Sequence, residues 1–145
     1  MTAPDALARA RVVAEARSWL GTPYHHRGRI KGAGVDCAML PAEVYAAAGL
    51  VPRVTPAHYP PDWHLHRGDE RYLAQVLEHA REVAAPTGPG DLVLFRFGRA
   101  FAHGAIIIDW PLVLHAYIRR RVELIDATQG DLGQRPRRFF TLWEA

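Results

Sequence analysis

After Val83 the sequence changes texture, and that change constrains the fold more than any other feature. Behind the turn-rich "APTGPGD" come "LVLFRF", "HGAIIID", "PLVLHAYI" and "RVELID", short β-rich runs separated by turn residues, and "RRFFTLW" closes the chain. Ahead of the change, apolar residues recur at helical spacing instead. Helices first and a mostly antiparallel sheet second make an α+β layout. With 145 residues, 49% of them hydrophobic, the chain can bury a core without staples and reads as a single domain over residues 1–145.

The first helical segment carries Ala6, Ala10, Val13, Ala16 and Leu20 on one face, with Arg9, Arg11, Glu15 and Arg17 on the others. Thr2 and Asp5 are spaced as a capping pair, and Gly21, Thr22 and Pro23 stop the run. Residues 21–35 are glycine-rich and basic, hence a loop. A second helix starts near Asp36, a good N-cap, with Cys37, Leu40, Val44 and Ala47 inward and Gly49 at its end. Pro41 falls at or just past its first turn and predicts a distortion there. Residues 51–68, "VPRVTPAHYPPDWHLHRG", hold prolines and aromatics that can pack, so they read as a long ordered loop. A third helix is predicted from about Asp69 to Val83, with Tyr72, Leu73, Val76, Leu77 and Ala80 inward.

Cys37 is the sole cysteine, which excludes an internal disulfide framework and a cysteine-based zinc cluster. Thiol catalysis needs a thiolate, a base to make it and a group to orient the base. A free cysteine has a pKa of about 8.5, and a helix N-terminus or a neighbouring imidazole lowers it. The position of Cys37 at a helix start therefore predicts a solvent-reachable, unusually reactive thiol, with nearby N–H groups able to serve an oxyanion. His103 and His115 lie twelve apart on consecutive predicted strands, with a turn at Asp109, Trp110 and Pro111 between them. A hairpin can set two such imidazoles on one face, where one holds the other. With Cys37 they supply a thiol, a base and an orienter. Taken singly, each fits a structural role: a thiol filling an apolar helix, or a histidine satisfied within a sheet.

The net charge is +3, with arginine strongly favoured over lysine and clusters at Arg119–Arg121 and at Arg135, Arg137 and Arg138. No aromatic-interleaved stripe, zinc finger or glycine-rich phosphate loop accompanies them, so no nucleic-acid partner is expected. No apolar run approaches the ~20 residues that span a bilayer, so no membrane insertion is expected either. Residues 1–20 carry Asp5 and Glu15 among spread arginines and lack a compact apolar stretch, so no signal peptide is expected. His64 and His66 form His-x-His, His25 and His26 are adjacent, and Asp62 is close by. Zinc would require a third or fourth ligand at fixed geometry, and neither a metal nor any other cofactor is expected.

"ARSWLGTPYHHRG", "GVDCAML", "GDLVLFRF", "HGAIIID" and "VLHAY", about two-thirds of the chain, resemble the NlpC/P60 cysteine peptidases, a papain-like family that cuts peptidoglycan stem peptides. The resemblance implies N-terminal helices packed on the sheet, Cys37 as nucleophile, His103 as base and His115 as orienter. It matches Tyr24 to a tyrosine beside the thiol and Asp36 to the acidic neighbour of the nucleophile, both expected at the substrate. His64 and His66 are then expected to line a loop over the cleft and to bind a stem-peptide carboxylate. The bond implied lies between D-glutamate and the diamino acid. Where the family usually reads Asp-Cys-Ser-Gly-Leu, this chain reads Asp36-Cys37-Ala38-Met39-Leu40, a change beneath the thiol that bears on substrate detail.

The stretch "YPPDWHLHRGDERYL" is similar to the branch carried by phage tails and gene transfer agents. That likeness implies synthesis in the cytoplasm, delivery to the cell wall within a virion or tail-like particle, and hub or fibre proteins as partners. Two other readings stand beside hydrolysis of the wall. One is a catalytically silent tail-tip or adaptor protein using the same fold; the other is acyl transfer or amide hydrolysis on a different substrate.

Overall fold

In the computed structural model, which describes residues 2–53 and 70–144, the first segment folds as helix α1 (Ala3–Arg17). Thr2 caps it as expected. Its Oγ1 accepts a hydrogen bond from the Asp5 amide at 3.1 Å, and Pro4 sits in the first turn, where no N–H is required. The buried stripe differs from the expected one: Arg9, Val12 and Ala16 face inward, whereas Ala6, Ala10 and Leu20 are exposed. A long-range ion pair is the cause. Asp91, fully buried, meets the Arg9 guanidinium at 3.0 Å, and that guanidinium also donates to Pro89 O and Thr87 Oγ1 and lies over the Trp143 ring. A buried carboxylate without a partner costs several kcal/mol, which sets the rotation of α1 about its axis.

The segment after α1 is more than a loop. Strands β1 (Arg29–Ile30) and β2 (Gly34–Val35) form a small antiparallel hairpin, and single bridges tie Pro23 to Arg121 and Tyr24 to Val35. Helix α2 (Met39–Ala47) begins later than expected. Asp36 still caps it from a distance, with Oδ1 accepting from the amides of Ala38 at 3.1 Å and Met39 at 2.9 Å, and its carbonyl accepting from Leu40 at 3.0 Å. Pro41 is therefore the third helical residue, where an N–H would have had no helical carbonyl to meet. The ~3 kcal/mol cost of an interior proline is avoided. The expected distortion takes the form of a hydrogen-bonded turn at Cys37 and Ala38, with Ala38 already in the right-handed helical region, ahead of the regular helix. Leu40, Val44 and Tyr45 are buried, while Ala47 is exposed where the helix ends, and Gly49 follows with a φ of +80°.

Helix α3 (Arg71–Leu77) is about half the expected length. Its predicted continuation leaves as strand β3 (Arg81–Val83), because β8 (Arg137–Thr141) offers an edge whose backbone groups need partners. Tyr72 and Leu73 point inward and Val76 and Ala80 pack partly buried on the core, but Leu77 is 48% exposed. Strands β4 (Leu92–Phe97), β5 (Ala100–Asp109), β6 (Leu112–His115) and β7 (Glu123–Asp126) complete the sheet, in the order β3-β8-β4-β5-β6-β7 with every pairing antiparallel. The α+β expectation holds.

Both faces of the sheet are covered. Leu92, Leu94, Ile106, Leu114 and Phe140 meet the helices, while Val93, Phe95, Ile107 and Val113 meet Ala127 and Leu132, the latter on the short helix α4 (Gly130–Gly133). Each such side chain contributes about 1.5–3 kcal/mol on burial. Two covered faces explain why "LVLF" and "AIII" are continuous apolar runs rather than alternating ones. No helix among the described residues is long and apolar enough to cross a membrane.

Candidate active site

Register creates the site. Ile106 on β5 pairs with Leu114 on β6, so His103 and His115 project from one face as diagonal neighbours. The β6–β7 register sets Glu123 directly opposite His115. The side chains connect accordingly: His103 Nε2 to His115 Nδ1 at 2.8 Å, then His115 Nε2 to Glu123 Oε2 at 2.9 Å. Arg120 closes the line, donating to the same Glu123 oxygen at 3.2 Å. Sequence reasoning placed the two histidines together but missed Glu123. The signal was available, since residues 115 and 123 flank a turn just as 103 and 115 do.

Both imidazoles are buried, and their rings cross at 86°. Phe97 and Tyr117 pack on His103, with centroids 5.2 and 5.4 Å away, and Tyr117 also lies 5.4 Å from His115. Burial pushes the His115 pKa below its ordinary value; Glu123 pulls it back up in part, and Arg120 lowers it further. The histidine is neutral at neutral pH.

Cys37 stands in the turn ahead of α2, and its Sγ lies 3.9 Å from the carbonyl oxygen of Ala102, the residue before His103. The expectation of a solvent-reachable, acidic thiol is not met. Cys37 is 2% exposed, and burial pushes its pKa well above that of an ordinary thiol. Asp36 pushes in the same direction, against smaller opposing hydrogen bonds from Tyr24 and from the amides of Cys37 and Ala38. The physical reason is visible at the helix start. The amides of Ala38, Met39 and Leu40 are bonded to Asp36 and Pro41 has none, so a carboxylate has already answered the positive end of the helix. These three N–H groups, at the helix start expected to serve an oxyanion, are thereby taken, and the Cys37 amide lies ahead of them.

This state of the thiol has a measurable consequence. Iodoacetamide should label Cys37 more slowly at pH 7 than it labels free cysteine, with a rate that climbs only in strongly alkaline solution. Labelling that saturates with an inflection below the free-thiol value of about 8.5 would show a preformed thiolate instead.

Tyr24 sits where the resemblance implied, half-buried and hydrogen-bonded to the thiol, with its amide held by Arg120 O at 3.0 Å. Asp36, expected to contact substrate, is fully buried. Its Oδ1 serves the helix start and its Oδ2 accepts from the Arg27 amide at 2.7 Å. Arg27 has a φ of +63°, an unfavourable conformation for a side chain with a Cβ that this bond helps to hold. One cavity borders the thiol turn and a second lies on the loop that precedes it. An apolar one of about 290 Å³ begins at Ala38 and runs between α2 and α3 over Met39, Tyr72 and Val76. A basic one of about 600 Å³ is lined by His25, His26, Arg27 and Arg29. His64, His66 and most of the proline-rich segment, like Asp62, lie outside the described residues. Among the described residues, no group of three or more acidic, histidine or cysteine side chains is gathered for a metal.

Residues 21–136 match the model of the NlpC/P60 family. No curated protein sequence is significantly similar to the chain. Among solved structures, the NlpC/p60 domain of the peptidoglycan hydrolase SagA superposes with a TM-score of 0.58 at 20% identity, covering 90% of this chain and 96% of that one. The peptidoglycan hydrolase RipB of Mycobacterium tuberculosis gives a TM-score of 0.63 at 19% identity, covering 100% of this chain and 70% of that one. RipD of the same organism, described as a non-catalytic NlpC/p60 domain protein adapted to peptidoglycan binding, gives 0.59 at 18% identity, covering 94% and 98%. Identities this low show a shared fold.

Proposed function

Because this chain belongs to the NlpC/P60 family, we propose that it is a cysteine peptidase that cuts peptidoglycan stem peptides, with Cys37 as nucleophile, His103 as base and His115 as the group that holds the base. The observation that carries this reading is the 2.8 Å bond between the buried imidazoles of His103 and His115 on neighbouring strands, His103 directly following the Ala102 carbonyl that meets the sole cysteine of the chain. A thiol held neutral by burial requires its proton to leave as the new bond forms. Cys37 Sγ attacks the amide carbonyl while His103 takes the proton. The oxyanion meets the Cys37 N–H. His103 then protonates the departing amine, a thioester remains on Cys37, and water activated by His103 releases it.

The basic cavity supplies what an acidic stem peptide needs, since Arg27, Arg29 and two histidines line it and the Arg27 amide bonds Asp36, the residue before the thiol. We assign the scissile bond to the linkage between D-glutamate and the diamino acid. The likeness of "YPPDWHLHRGDERYL" to phage-tail and gene-transfer-agent proteins supports a role as a tail component that opens the wall, delivered with the particle and bound to hub or fibre proteins.

Purified muropeptides incubated with the protein and resolved by mass spectrometry test the reading: new fragments should end in D-glutamate. The burial of Cys37 favours one alternative, a silent domain that binds the wall or builds the tail tip without cutting. Muropeptide binding without new fragments would select it.

A further inference from the structure

The line of side chains does not stop at His115, and its last member has a job that the peptidase reading leaves unassigned. We infer that Glu123 is a positioning residue that sets the tautomer of His115 and, through it, the tautomer of His103, so that Nδ1 of His103 is kept unprotonated as the base for the thiol. This inference rests on the peptidase reading for its consequence in rate, but its structural content stands apart from it.

The argument is one of donors and acceptors. A carboxylate only accepts, so the 2.9 Å contact with Glu123 requires the proton of neutral His115 to be on Nε2. His115 Nδ1 is then bare and accepts from His103 at 2.8 Å, which requires the His103 proton to be on Nε2. One proton per neutral ring leaves His103 Nδ1 unprotonated and able to take the thiol proton. Without the carboxylate, the reverse order becomes available: His115 Nδ1 donates, His103 Nε2 accepts, and the His103 proton moves to Nδ1. In that arrangement the base is blocked.

The surroundings hold Glu123 in place. Arg119 has a φ of +65°, and the turn closes with the Arg120 amide bonded to Tyr117 O at 3.0 Å, which returns the chain so that Glu123 pairs with His115. Arg120 anchors the carboxylate and lies over the Tyr117 ring. The charged and titratable groups facing the two imidazoles are Glu123 and Arg120 on the His115 side and Tyr117 against both rings, while Cys37 lies beside the carbonyl of Ala102, the residue before His103. Asp131 and Arg135 act at one remove through Tyr117.

Removing the orienting carboxylate of a catalytic triad lowers kcat by roughly 10,000-fold. Glu123 acts through one more imidazole, so Glu123→Ala should lose about ten- to a hundredfold in kcat with KM little changed. Glu123→Gln presents an amide that can donate as well as accept, so it no longer dictates the tautomer and should lose a similar amount. Both variants remove a negative charge that favours protonated imidazole, so both should move the acidic limb of the pH–kcat/KM profile to lower pH.

The deciding measurement needs no substrate. In the full chain with ring-¹⁵N histidine, nitrogen–proton correlation spectra should show His103 and His115 both protonated on Nε2. Glu123→Ala and Glu123→Gln should each give averaged or reversed tautomer signals, and Glu123→Asp, which keeps an acceptor-only carboxylate, should keep the parent pattern. Parent signals with the His115 proton on Nδ1, or a Glu123→Ala spectrum identical to the parent, would overturn the inference. If the parent cuts no muropeptide yet shows the Glu123-dependent pattern, the peptidase reading fails and the tautomer assignment stands. If it cuts muropeptides and the pattern ignores Glu123, the reverse holds.

Discussion

Replacing Cys37 with alanine should abolish amide cleavage and leave the fold intact. The chain has no second thiol to take over, and loss of the attacking atom removes the covalent route altogether. Where a peptidase nucleophile has been deleted, the cost in kcat is on the order of a millionfold. Stability should change by about 1 kcal/mol or less, because the site loses one sulfur atom whose polar contact, at 3.9 Å to Ala102 O, is weak. Loss of a buried, neutral thiol leaves no charge behind. The measurement is the rate of muropeptide cleavage by mass spectrometry, paired with thermal unfolding of the parent and the variant. A variant that cleaves as fast as the parent would show that Cys37 is not the nucleophile, and the silent wall-binding reading would replace the peptidase one only if both proteins were inactive.

The two histidines should not be equivalent. His103→Asn should lose ~100- to 10,000-fold in kcat/KM, the usual cost of deleting a group that moves a proton in the transition state. An amide cannot accept and return a proton at neutral pH. His115 moves no proton to substrate; it holds His103 on one side and Glu123 on the other. His115→Gln and His115→Asn can still present a carbonyl to His103 Nε2–H, so measurable activity should remain. Neither amide reproduces the fixed spacing of the two ring nitrogens that link His103 to Glu123, so a reduced rate is expected from each. The comparison is kcat/KM on one muropeptide, with circular dichroism to confirm folding. Equal losses in the His103 and His115 variants would mean that the division of roles is wrong. No loss in either would remove the basis for a cysteine-peptidase site.

What the chain order alone settles here is local. Thr2 caps α1 because its hydroxyl lies within reach of the Asp5 amide, three residues on, whatever else the protein does. The β-rich runs form strands where the texture predicted, and a twelve-residue spacing across a turn brings two imidazoles to one face. Asp36 caps the helix that follows it, though Pro41 delays the start. These outcomes depend on neighbours a few residues away, and the sequence displays them.

Other features depend on partners that no local pattern names. Arg9 reads as a surface residue and is buried because Asp91, eighty-two positions later, needs its charge answered. Residues 81–83 look helical and become a strand because the edge of β8 needs hydrogen bonds. Cys37 looks like an exposed, acidic thiol, yet tertiary packing covers it and Asp36 takes the amides that would have stabilised its charge. Glu123 gains its place opposite His115 only when β6 and β7 are in register. In each case long-range burial decides: taking a charge or a backbone dipole out of water costs several kcal/mol without a partner, more than the few tenths by which local propensities differ, and only the tertiary structure brings the partner.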